Sequence, residues 1–84
     1  MRKARIKENA PEQFYKESVK IFKGGLPKTY LEFHQTLKKW AGKMLEVEKE
    51  YDDRVFLKYP NPVEENGYKI VGIDLEKKFV EFVE

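Results

Sequence analysis

Covalent catalysis needs a nucleophile, a base and a group to orient them. This chain of 84 residues has one serine, Ser18, one histidine, His34, and no cysteine. A Ser-His-Asp arrangement can therefore draw only on that pair. Ser18 stands at helical spacing among Phe14, Tyr15, Val19, Ile21 and Phe22, and it reads as a small packing residue. His34 falls at the edge of the apolar arc of a second helical segment and reads as a boundary residue with one hydrogen bond. A lone histidine also lacks the partners that a transition-metal site requires.

Carboxylates are more plentiful. Glu46, Glu48, Glu50, Asp52 and Asp53 form one run, and Glu64-Glu65 form a second group. Paired carboxylates can hold hard cations or share acid–base work. Neither group has the D-x-D-x-D-G spacing of an EF-hand loop. Lys49 and Arg54 interleave with the first run, as on a solvated surface. Gly24-Gly25 precedes a helix, but the upstream glycine of a phosphate loop is missing and Lys28 alone is too little. The sequence predicts a non-catalytic chain with no cofactor and no metal site.

Binding has better candidates. Arg2, Lys3, Arg5 and Lys7 make a basic arm. Lys16, Lys20 and Lys23 repeat at helical spacing, and Lys38, Lys39 and Lys43 surround Trp40. These charges suit phosphates, and a mobile arm can enter a groove. Yet only three residues are arginine, the side chain that base readout and bidentate phosphate contacts favour. No helix-turn-helix, zinc-finger or RNP signature accompanies them. Nucleic-acid binding is thus the alternative reading. Contact with another protein, including self-association, is the leading one. It rests on Tyr68, Ile70, Phe79 and Val83, which an expected C-terminal hairpin places together on its outer face. A small domain seldom leaves such a cluster uncovered. The last strand is expected at a sheet edge, open to strand addition.

The elements that position these residues follow from periodicity. Residues 1–8 read as the flexible arm, and residues 9–84 as one α+β domain. Asn9, Pro11 and Glu12 mark the start of a short helix, and Gly24-Gly25 its end. A long helix is expected from about Lys28 to Tyr51. Its apolar residues Tyr30, Phe33, Leu37, Trp40, Met44, Val47 and Tyr51 recur at alternating steps of three and four. Leu31, Ala41 and Leu45 widen that stripe to an arc of ~160°, too broad for a coiled-coil seam. The helix should therefore pack within its own domain, with Trp40 against Val71, Ile73 or Phe82. Gly42 is its weak point. The period then becomes two. "RVFLKY" reads as a strand, "PNPVEENG" as a loop, and the remainder as a hairpin with its tip at Glu76-Lys77. On that tip, Val71, Ile73, Leu75, Val80 and Phe82 share one face. The expected architecture is two helices, one short and one long, on one face of a three-stranded antiparallel sheet, in the order α-α-β-β-β.

Composition sets the remaining bounds. The chain has 14 lysines and 12 glutamates, against eight Ser, Thr, Asn and Gln together. That balance resembles proteins from hot environments. The formal net charge of +2 hides an asymmetry. Residues 1–43 carry eleven basic side chains against four acidic, and residues 44–84 carry six against eleven. Neutralisation between the halves is the simplest outcome; a dipolar surface is the other. No apolar run approaches a membrane span, and the basic N-terminus lacks the apolar core of a secretory leader. With no cysteine as well, a cytoplasmic location is expected.

Overall fold

Alternation begins earlier than the arm reading allows. The computed structural model describes residues 2–83, so Met1 and Glu84, the outer ends of the expected arm and domain, lie outside it. Lys3–Ile6 form strand β1, in which Ala4 and Ile6 are fully buried while Lys3 and Arg5 are exposed. This strand pairs antiparallel on both sides, so the expected flexible arm is instead an inner strand of the sheet. The short apolar side chains of Ala4 and Ile6 make that possible, because their face is the one the helices cover.

Helix α1 spans Ala10–Ile21, with Asn9 at its N-cap and Pro11 in its first turn. The Asn9 carbonyl accepts from the Gln13 amide at 2.9 Å, but its side chain makes no capping bond. Helix α2 spans Lys28–Trp40 and starts directly after Pro27. It presents Tyr30, Phe33, Leu37 and Trp40 inward, and Leu37 is fully buried.

The long helix ends about eleven residues sooner than its spacing predicts. Gly42 adopts φ 79°, a left-handed conformation that glycine tolerates at helix ends. Its amide donates to the Ile6 carbonyl at 2.7 Å, and the Ile6 amide donates to the Lys43 carbonyl at 3.0 Å. The turn thus hands the chain to strand β2, Met44–Glu50, beside β1. In β2 the alternating residues Leu45 and Val47 face the core, while Met44 and Tyr51 remain exposed. Met44, Val47 and Tyr51 fit a helical period, whereas Leu45 and Val47, two apart, fit a strand, and the pairing with β1 selects the strand.

Strand β3 covers Arg54–Glu65 and β4 covers Tyr68–Glu76. The expected loop at residues 60–67 is therefore the end of β3 and a tight turn. Asn66 and Gly67 take φ 51° and 80°, as a two-residue hairpin turn requires. The two prolines are absorbed by an irregularity in the β3–β4 register between Lys58 and Val63. The C-terminal hairpin does not form. Lys77–Phe79 make a 3-10 turn, and β5, Val80–Val83, crosses to the far side of β1.

The resulting sheet has five antiparallel strands in the order β4-β3-β2-β1-β5, not three. Cross-strand pairs on its covered face are apolar: Ala4 with Leu45 and Phe82, Leu57 with Val47 and Ile73, Val55 with Leu75, Ile6 with Val80. Phe14 and Phe33 pack onto this layer from the helices. The open face is charged and paired in kind: Lys3 stands between Glu46 and Val83, Arg5 opposite Glu81, and Lys58 opposite Glu46. Of the basic front half, Lys3 and Arg5 thus stand opposite acidic residues of the rear half across the sheet.

Candidate protein-binding edge and cleft

β4 is an end strand of the sheet, nine residues long and without proline. Among the described residues, nothing pairs with its outer side. It carries half-exposed Val71 and strongly exposed Tyr68, with Lys69, Asp74 and Glu76 as its only charged side chains. The opposite edge, β5, has four residues. Unpaired amides and carbonyls along a strand of this length form a template for another strand.

A cleft of about 380 Å³ adjoins the C-terminal end of β4. Its floor is aromatic: Phe14 of α1, Tyr30 and Phe33 of α2, and Phe79 of the 3-10 turn. The Phe14 ring centroid lies 5.0 Å from Phe33, 5.8 Å from Tyr30 and 6.2 Å from Phe79. The first and last of these are edge-to-face, an arrangement the ring quadrupoles favour. Leu75 and the buried Ser18 complete the apolar side.

The rim is polar and already tied down. Arg54 Nε donates to Asp74 Oδ1 at 2.8 Å. Lys78 Nζ bonds Glu17 and lies 3.3 Å from Glu76. The Lys78 hydrogen bond holds the Glu17 carboxyl below its ordinary pKa, and the Glu17 bond raises that of Lys78. Each rim cation is thus engaged, while Glu17, Asp74 and Glu76 keep spare acceptor capacity. An apolar floor beneath acceptors suits an aromatic group with a donor at its tip. The crossing segment that supplies Phe79 is anchored by two backbone bonds, Lys77 N to Asp53 O and Lys7 N to Phe79 O, both 2.9 Å.

No family model, curated protein or solved structure matches this chain.

The four residues expected on one outer face are dispersed. Phe79 is buried in the core and floors the cleft. Val83 lies on β5 and Tyr68 on β4, at opposite edges of the sheet. Ile70, paired with Val63, packs partly into the core. The cause is the crossing of β5, which removes the hairpin on which that face depended.

The basic candidates separate as well. Arg2 bonds Glu50 and lies over the Phe82 ring, 4.0 Å from its centroid. Lys3 and Arg5 face glutamates within the sheet. Lys7 follows β1, Lys16 pairs with Glu12 on α1 at 2.9 Å, and Lys20 and Lys23 lie exposed on and just beyond that helix. At the other end of the helical layer, Lys39 and Lys43 place their ammonium groups 5.9 and 5.3 Å from the Trp40 ring centroid. Lys38 sits beside His34, whose pKa is lowered first by burial and then by that lysine. His34 packs against Tyr15, centroids 5.2 Å apart, whereas Ser18 lines the aromatic cleft. The only serine and the only histidine are therefore not brought together into one site. No described helix is long and apolar enough to cross a membrane.

Sequence reasoning missed both the edge and the cleft. The Asn66-Gly67 turn was a readable signal that β4 pairs back on β3. The cleft gave no such signal, because its walls come from five separate segments.

Proposed function

We propose that this chain is a small non-catalytic module that binds another protein by adding an extended segment of it to the sheet along β4. The observation that carries the reading is the open nine-residue edge of β4. Main-chain hydrogen bonds supply the affinity in this mode, and neighbouring pockets supply selectivity. The half-exposed Val71 gives the edge an apolar strip that a second strand would bury. Titrating the ¹⁵N-labelled protein with an extended heptapeptide, acetyl-Lys-Val-Thr-Tyr-Thr-Val-Lys-amide, tests it. Amide shifts concentrated in β4, and lost in a Val71→Lys variant, are expected. Shifts spread over the helices with β4 unmoved contradict it.

Nucleic-acid binding is the second reading. Its support is the pair of lysines beside the half-buried Trp40 ring, since cations next to an aromatic group can engage phosphate and base together. The loss of the arm leaves it fewer convergent charges than the sequence suggested.

A further inference from the structure

We infer that the segment captured along β4 carries an aromatic side chain flanked by two basic ones: the aromatic stands beside Leu75 with its ring in the cleft, and the basic pair stands beside Asp74 and Glu76. The inference rests on strand capture at β4 and names the chemistry of the captured segment.

The cleft lies where a further strand would run. Its sheet-borne walls are Arg54, at the start of β3, and Asp74, Leu75 and Glu76 of the end strand β4. Among the described residues, none of β1, β2 or β5 lines it. Leu75 belongs to the covered face, where it is buried and pairs with Val55. Asp74 and Glu76 alternate with it and pair with Phe56 and Arg54 on the open face. One cleft borders residues of both faces, as it does when it follows the free edge of the strand.

Register then assigns the side chains. Directly opposite residues of paired strands project to the same face of a sheet. The residue beside Leu75 therefore points to the helix side, where Phe14, Tyr30, Phe33 and Phe79 surround the cleft. A ring placed there meets other rings, and such pairs add to plain burial. The residues before and after it point to the open face, beside Asp74 and Glu76.

The charges agree with that alternation. Asp74 and Glu76 are half exposed and, with Glu17, outnumber the two cations of the rim, Arg54 and Lys78. A basic side chain on each flank balances the excess, and an acidic one meets like charge. Lys78 already shows the combination within the molecule. Its ammonium bonds Glu17, lies 3.3 Å from Glu76 and stands 5.4 Å from the Phe79 ring centroid.

Two peptides of one composition test the inference. The heptapeptide above has threonines beside its tyrosine and lysines at its ends. Its isomer, acetyl-Thr-Val-Lys-Tyr-Lys-Val-Thr-amide, brings the lysines next to the tyrosine. Side-chain order in each is the same in either direction, so strand polarity does not matter. Titrated into the ¹⁵N-labelled full chain, the isomer is expected to bind at least about threefold tighter, since two exposed ion pairs each contribute modestly. Replacing its tyrosine by alanine should weaken it at least about tenfold, through loss of the buried ring. Asp74→Asn combined with Glu76→Gln should abolish the isomer's advantage, while the first heptapeptide still shifts the β4 amides. Nuclear Overhauser contacts from the peptide ring to Phe14 and Phe33 fix the register. Equal affinity of the two isomers, or of the tyrosine and alanine peptides, overturns the inference, as does a ring that contacts neither phenylalanine. If the β4 amides still respond in that case, strand capture stands and only the stated chemistry falls. If they respond to no peptide, both fall.

Discussion

The rings of Trp40 and Tyr59 stack with centroids 4.6 Å apart and planes within 11° of parallel. The contact joins the last residue of α2 to the middle of β3, so it locks the C-terminal end of the helix onto the sheet. Tyr59 is buried and Trp40 half-buried. Trp40→Ala should cost ~3 kcal/mol, near the low end for truncating a large aromatic. Urea unfolding measures this; a loss under ~1 kcal/mol would mean the stack is not what holds the helix down.

Burial raises the pKa of Tyr59 to about 12, with Glu65 adding to the effect. The unfolded chain ionises its tyrosines near pH ~10. Stability from this group is thus complete below pH ~10 and falls as pH rises toward 12, by ~2–3 kcal/mol across that window. Tyr59→Phe keeps the stack but has nothing to ionise. Its stability should therefore lose less than that of the wild type across the window, and equal slopes in denaturant titrations would contradict the assignment.

Gly72 is required by contact. A β-carbon there would lie 2.7 Å from Cζ of Phe56 and closer still to the Leu57 carbonyl oxygen. A side-chain ring can move, but a backbone oxygen in a paired strand cannot move cheaply. Gly72→Ala should destabilise by ~1–3 kcal/mol, and pairing it with Phe56→Ala should restore only part of that. Full recovery in the double variant, read from thermal melts, would place the whole constraint in the ring.

The nucleic-acid reading makes its own prediction. If the lysines of the helical layer neutralise ~4 phosphates of a single strand, log K against log salt falls with a slope near −3. Lys39→Gln with Lys43→Gln should flatten it. A gel shift absent for DNA and RNA alike at ~50 mM salt would end this reading.

Local signals in the sequence located much of the fold. The stops at Gly24-Gly25 and the Pro27 start bracket the helices closely, because caps act within a turn. Tyr30, Phe33, Leu37 and Trp40 face the core as their spacing requires. What local periodicity could not see was pairing at a distance. Residues 3–6 look like a charged arm until both neighbouring strands are known, since only Ala4 and Ile6 face inward. Residues 44–50 satisfied a helical period and a strand period together, and the Gly42–Ile6 hydrogen bond, across 36 positions, decides between them. The β5 crossing is non-local in the same way. It moved Phe79 from an expected interface to the floor of a cleft, leaving Tyr68 and Ile70 as the expected interface residues on β4.

Hydrogen–deuterium exchange, resolved by residue and run over a heptapeptide titration, tests the central claim most directly. The account predicts that alternate amides of residues 68–76 gain protection as the heptapeptide is added, while the β5 edge stays unchanged. Fast exchange along β4 at every peptide concentration would contradict it.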